Sequence, residues 1–475
     1  MIFNSFAFLI FFLIFYILYV SLKDRRYRIV LCLVGSYFFY GWWDWRFLSL
    51  IIFSTLVDFL VGKALHTESD DSRRKKWLLV SLFSNLGLLF FFKYFNFFVD
   101  SFVEVATTLG MSPSVTALNI ILPVGISFYT FQTLSYTIDI YWRRMEPEPN
   151  LIVFATYVAF FPQLVAGPII RAIDLLPQFR DQNKVTFEMA ISGLMLVLVG
   201  YFKKVVLADS LAPLVDNGFA NPYIYTSLNL CIIVVFYAFQ IYCDFSGYSD
   251  IAIGIGKMFG FHFPRNFNLP YIAQNFSDFW KRWHISLSGW LRDYLYIPLG
   301  GNRGSSVLTQ RNLMLTMLLG GLWHGANWTF IIWGGLHGGY LVAQRILQPV
   351  AVRLRGVLHK SIYTIFSILM TFFLVNLAWV FFRSQSMSQA FDLLAYIYNN
   401  GDYSFSNVKL KFQVIEGMLL IFMLYFGELI YTTKPKVREL FSYNNYYKLG
   451  FASFILWLIL FFGTFENNNF IYFQF

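Results

Sequence analysis

The sequence predicts an all-α integral membrane protein that crosses the bilayer many times. Composition is the first reason: 57% of the 475 residues are hydrophobic, 21% aromatic and only 13% charged, against about a quarter charged in soluble proteins. The second is that mean hydropathy is +0.57 over the whole chain, which excludes a soluble domain carrying one anchor. The third is that lysines and arginines gather in short loops between long apolar runs, the pattern of a polytopic membrane protein. One integral membrane domain over residues 1–475 is expected.

The first apolar run, residues 6–20, reads as a retained first span. No basic stretch precedes it and no small-residue cleavage site follows, so it does not resemble a signal peptide. The three cysteines, Cys32, Cys231 and Cys243, lie in apolar runs without disulfide or metal spacing and read as small packing residues. A net charge of +10 raises nucleic acid as a partner. The charge sits in span-flanking loops, and no basic stripe with exposed aromatics forms a nucleic-acid footprint.

Basic and poorly charged loops alternate. Lys23, Arg25, Arg26 and Arg28 follow the first span, Arg73, Arg74, Lys75 and Lys76 the third, and Arg143 and Arg144 the span beginning at Ile121. Placing these loops in the cytoplasm puts the N-terminus and residues 96–118 outside. The alternation continues through Arg353, Arg355 and Lys360, then Lys434, Lys436 and Arg438. A last span near 450–462 puts the C-terminus outside as well.

Two stretches do not read as ordinary spans. Residues 151–170 are apolar but interrupted by Pro162, Gln163, Gly167 and Pro168, so a re-entrant segment packed in protein is expected. Residues 244–312 are too polar to span and are assigned to the cytoplasmic face. Within them, 276–294 carries an amphipathic helix: Phe276, Phe279, Trp280, Trp283, Leu287, Trp290, Leu291 and Tyr294 recur at helical spacing. Its tryptophans and basic residues favour the membrane interface. His284 falls at the flank of that apolar stripe.

Polar residues inside apolar runs are functional candidates because they are unfavourable there unless they serve a purpose. One group is Gln240, Asp244, Ser246, Ser249 and Asp250. Another is Ser127, Thr130, Gln132, Ser135, Thr137 and Asp139. The hydroxyls read as interhelical hydrogen-bonding groups, and Asp139 and Asp244 as solvated or arginine-paired. Of six histidines, His66 and His359 lie in charged loops and His262 in a surface loop. His324 ends an apolar, glycine-rich run, LLGGLWHGANW. There it is a general base near neutral pH or a core histidine bonded to a carbonyl. His337 is about 220° further round an unbroken helix and reads as structural. No metal site, phosphate loop or Ser-His-Asp order stands out. The residues alone lead to a membrane protein with a polar, histidine-bearing cavity reachable from the cytoplasm, and leave enzyme and transporter both open.

Five motifs decide further: PVGISFYTFQTLSYTIDIYW, FFPQLVAGPIIR, DFSGYSDIAIGIG, FPRNFNLPYIAQNFSDFWKRWHISLSGWLRDYLYIPLGGNR and LGGLWHGANWTFIIWGGLHG, in that order. Together they resemble the membrane-bound O-acyltransferase family, most closely its bacterial alginate, cellulose and peptidoglycan O-acetyltransferase branch. The motif-bearing core is about 121–345. The resemblance implies a ring of about 10–12 transmembrane helices, with re-entrant and interfacial helices around a central funnel. It implies catalytic roles for His324, the signature histidine, and for His284 in RWHISLS. His324 would be base or transient acyl carrier, and His284 or backbone N–H groups near Gly320 and Gly321 would serve the oxyanion. Lys281, Arg282 and Arg303 suit the phosphates of the cofactor-like donor. That donor is acetyl-CoA, with no cofactor or metal bound. The implied partners are a periplasmic acetyl-carrying protein, a polysaccharide acceptor and membrane lipid, with no nucleic acid. The implied location is the cell inner membrane. D-alanyl transfer to teichoic acid and a non-catalytic acyl conduit are the alternatives.

Overall fold

The computed structural model describes the chain except residues 182–184, 405–407, 438–444, 466–469 and 472–475. Arg438 of the last basic loop therefore lies outside the described residues. Among those described every regular element is helical. Among the described residues, six helical stretches are long and apolar enough to cross a membrane: Arg25–Thr67, Asp71–Thr108, Phe187–Ala220, Ser227–Met258, Lys360–Arg383 and Lys411–Thr433. Shorter apolar helices cover Phe6–Ser21 and Tyr446–Phe462. The protein is a multi-pass, all-α membrane protein.

The chain divides into two compact units, Met1–Leu194 with Ala252–Pro264, and Met195–Ile251 with Arg265–Phe475. In the first unit, helices Leu48–Thr67, Asp71–Leu89 and Ile126–Tyr141 pack together. Their contact is polar where hydropathy alone predicts none. Asp58, fully buried, accepts from Ser81 Oγ at 2.5 Å and Asn85 Nδ2 at 2.9 Å. Ser81 also meets Thr137 Oγ1 at 3.0 Å. Arg74 donates to the carbonyls of Ile140 and Tyr141, at 3.2 and 2.8 Å, and so ties off the C-terminal end of Ile126–Tyr141. The expected interhelical role of Thr137 is what the structure shows, and Asp139 pairs with Arg144 at 3.5 Å.

The structure adds detail to some expectations and corrects others. Residues 95–108 are helical, because a π segment, Phe90–Tyr94, carries the preceding helix onward. The interrupted segment forms two short helices, Leu151–Ala159 and Phe161–Leu164, with Pro162 in the first turn of the second. The boundary of the polar stretch is also misplaced. Residues 244–258 belong to the long helix Ser227–Met258, whose Asp244 and Asp250 are paired with lysines inside the protein. Cys231 is exposed, whereas Cys32 and Cys243 are buried.

In the second unit the hairpin of Ser306–His324 and Trp328–Ile346 is the element that positions the site. Ser305 caps its first helix by accepting from Leu308 N. Asn327 caps the second by accepting from Thr329 N. Gly321 and Gly334 face the opposite helix so closely that a Cβ on either would overlap a backbone carbonyl, of Phe330 and Met317 respectively. Small residues thus let the two backbones touch.

Candidate active site

Three local features bring the two candidate histidines together within the second unit. His324 is the last residue of its helix, and Gly325 leaves that helix in extended backbone. The imidazole therefore sits at a helix end, 4% exposed. The expected single helix over 276–294 is broken: Phe276–Trp280 and Ile285–Leu291 are separate helices, and Arg292–Tyr296 is a π turn. The break falls at His284, which adopts φ +42° and ψ 55°. A non-glycine residue in the left-handed region is uncommon and strained. It turns a side chain from the flank of an apolar stripe into the interior, where His284 is 0% exposed. The ring centroids of His284 and His324 are 6.4 Å apart.

Asn266 organises the His284 side. The backbone N–H of Ser286 donates to Asn266 Oδ1 at 3.1 Å and Ser286 Oγ at 2.9 Å. A backbone N–H can only donate, so the amide atom facing it is the oxygen. His284 Nδ1 lies 3.3 Å from that same oxygen, which makes Nδ1 the protonated nitrogen and leaves Nε2 a lone pair. Asn266 Nδ2 donates to Ser249 Oγ at 3.3 Å, and the backbone N–H of Ile285 donates to the Asn266 carbonyl at 2.9 Å. Burial pushes the His284 pKa down to about 3, so this imidazole is neutral at physiological pH.

Aromatic rings wall the pair. Phe245 stands edge-on to His284 at 4.6 Å. Trp323, Trp333 and Phe382 surround His324 at 5.0, 5.0 and 5.3 Å. Trp333 separates His324 from His337, whose ring is 4.9 Å from it. His337 is fully buried and stacks on Phe279 at 5.7 Å. The break at 325–327 is what lets one tryptophan touch both histidines.

The expected oxyanion donors do not fit this arrangement. Neutral His284 commits its one N–H to Asn266. Gly320 and Gly321 lie inside a helix, where the N–H groups bond the carbonyls four residues back. The three expected phosphate-binding cations differ among themselves. Lys281 and Arg303 are exposed, and Arg303 sits in a separate turn closed by its own N–H on the Gly300 carbonyl at 2.9 Å. Arg282 is half-buried and held by Asp278 at 2.8 Å.

A buried ion network accompanies the site, and the sequence reading does not anticipate it. Lys203, on the π segment Phe202–Ala208, pairs with Asp250 at 2.7 Å and Glu428 at 2.5 Å. Lys204 pairs with Asp209 at 2.8 Å and Asp244 at 2.7 Å. Asp244 also accepts from the backbone N–H of Ile471 at 2.8 Å. Beside it, Phe470 packs on Phe245 at 5.9 Å and on Tyr248 at 4.7 Å. Asp244 is thus buried and lysine-paired, not solvated or arginine-paired. The signal was present: adjacent lysines in the apolar run YFKKVVLAD are ionisable groups in a span.

Comparison with known proteins is decisive at this point. Residues 146–382 match the model of the membrane-bound O-acyltransferase family, a span that contains Asn266, His284, His324 and Trp333. An Azotobacter vinelandii protein named "Probable alginate O-acetylase AlgI" is 44% identical over 417 residues, covering 86% of this chain and 80% of that protein. The Pseudomonas aeruginosa protein of the same name is 45% identical over 412 residues, covering 86% and 77%. A Helicobacter pylori "Peptidoglycan O-acetyltransferase" is 38% identical over 416 residues, covering 82% and 77%. The chain belongs to the membrane-bound O-acyltransferase family. As a membrane-bound O-acyltransferase it is an enzyme that transfers acyl groups to oxygen. The conduit reading falls.

Proposed function

We propose that this O-acyltransferase takes acetyl groups from cytoplasmic acetyl-CoA across the inner membrane for O-acetylation of a secreted or cell-surface polysaccharide. The observation that carries the reading is the pairing of His324 with His284 in an aromatic chamber, on the scaffold of a family whose similar members are named for acetylating alginate and peptidoglycan. A periplasmic acetyl-carrying protein is the proposed intermediate acceptor. Lys281, Arg282 and Arg303 are the proposed contacts for the phosphates of acetyl-CoA, because all three are cationic groups of the KRWHISLS-to-GGNR region. The protein acts as one acyltransferase domain without a metal.

Chemistry assigns different work to the two imidazoles. His324 removes the proton of the acceptor hydroxyl as its oxygen attacks the thioester carbonyl. When the C–S bond breaks, the imidazolium returns that proton to the leaving thiolate, so no proton is consumed. His284 is a poor base because it is buried and fixed by Asn266. Its Nε2 lone pair suits it to accept from, and so orient, the attacking hydroxyl.

The test uses purified protein in lipid nanodiscs with radiolabelled acetyl-CoA and candidate acceptors. Transfer of label to a hydroxyl, abolished by His324→Ala, supports the reading. Turnover of a D-alanyl carrier thioester, with none of acetyl-CoA, contradicts the choice of donor.

A further inference from the structure

Trp333 has a buried indole N–H that finds no partner among the described residues. The side chain is 1% exposed. Buried N–H donors are almost always paired, and an exception in a native fold requires an explanation. The position of this one supplies it. The ring stands edge-on to His324, 5.0 Å between centroids at 86°. It is held in place by Trp379, stacked at 5.7 Å, and by Phe382 at 5.1 Å. The glycine-mediated contact between Ser306–His324 and Trp328–Ile346 fixes the two residues relative to each other. The indole is rigid, buried and packed against the proposed base, and its N–H is uncommitted.

Acyl transfer needs such a donor. As the hydroxyl oxygen attacks, the thioester carbonyl π pair moves onto its oxygen, and the resulting anion requires N–H or O–H groups already aimed at it. The usual suppliers are engaged elsewhere: His284 on Asn266, the glycine N–H groups on their own helix. We propose that the Trp333 indole N–H is an oxyanion donor of this acyltransferase. It donates to the carbonyl oxygen of the tetrahedral intermediate. That intermediate collapses when the C–S bond breaks, and the thiolate takes the proton held by His324. The proposal rests on the reading of acetyl-CoA as donor and His324 as base.

The experiment replaces Trp333 by 3-benzothienylalanine, which keeps the bicyclic shape and exchanges the N–H for sulfur. Whole protein in nanodiscs is assayed with acetyl-CoA. The expected result is a kcat about 10²–10³-fold lower, with KM for acetyl-CoA and thermal stability unchanged. A kcat within about twofold of wild type overturns the proposal, as does a rise in KM alone, which signifies ground-state binding. A second readout does not depend on turnover: the infrared carbonyl stretch of acetyl-CoA, carbon-13 labelled at the thioester, bound to His324→Gln protein. With Trp333 present the stretch falls below its solution frequency, and with the analogue it moves back. An unshifted band in the Trp333 protein overturns the donor role. Full activity of His324→Gln removes the base assignment alone, because the carbonyl shift and the kcat of the analogue test Trp333 separately.

Discussion

Asn266 Oδ1 meets three donors, Ser286 N–H, Ser286 Oγ–H and His284 Nδ1–H, and so fixes the His284 tautomer. Asn266→Leu should therefore free the His284 tautomer and lower activity roughly 10²-fold, the low end for a lost acid–base contact, while protein persists in the membrane. Nitrogen-15 imidazole shifts check the cause: wild type shows His284 protonated at Nδ1, and the variant a mixture. Burial also has a consequence for stability. The folded pKa of His284 is about 3, below the ordinary value of about 6.5. Between these pH values the unfolded state binds more protons, so stability rises with pH there and is lost as pH falls from about 6.5 toward 3. His284→Phe should flatten that part of the stability profile in a pH series of melting temperatures. His324 was legible in the sequence because an ionisable group at the end of a glycine-rich apolar run is conspicuous. Asn266 was not. Its role depends on a contact across 18 residues and on a left-handed backbone at His284, which no periodicity announces.

At the scale of elements, helix existence was readable from apolar runs, but breaks and pairings were not. The amphipathic stripe of 276–294 satisfied helical spacing throughout, yet the chain bends at His284. Tertiary hydrogen bonds to Asn266 and Asn268 compensate the strained residue. The polar half of Ser227–Met258 was misjudged for a related reason. Its aspartates look unfavourable in isolation and are accommodated once Lys203 and Lys204 stand opposite them. Removing one partner of such a pair leaves a buried charge, so Lys204→Met should destabilise the protein by about 3–5 kcal/mol, visible as a lower melting temperature in detergent. The same network predicts a local effect. Ile471→Pro deletes the N–H that Asp244 accepts. Hydrogen exchange should then rise at Thr464, whose N–H in wild type donates to the Val205 carbonyl at 2.8 Å. Unchanged exchange at Thr464 would show that its hydrogen bond does not depend on the Ile471–Asp244 contact.

For the whole molecule, composition was enough to establish a multi-pass membrane protein, and charge alternation supplies an orientation. That alternation predicts Arg73 and Arg303, both exposed, on the cytoplasmic side and Leu118 outside. Single cysteines placed at 73 and 118 in a cysteine-free background should therefore react oppositely with an impermeant thiol reagent on intact cells, 118 labelled and 73 protected. Orientation matters because the proposed reaction is vectorial. The most direct measurement puts the purified enzyme into sealed vesicles. Radiolabelled acetyl-CoA is added on the face bearing Lys281, and the hydroxyl acceptor is enclosed on the other side. Wild-type protein is predicted to acetylate the enclosed acceptor, and His324→Gln to do so about 10²–10⁴-fold more slowly, because glutamine matches the imidazole in hydrogen bonding but takes no proton near neutral pH. Equal transfer by the glutamine variant, at equal protein level, would contradict the claim that His324 performs the chemistry.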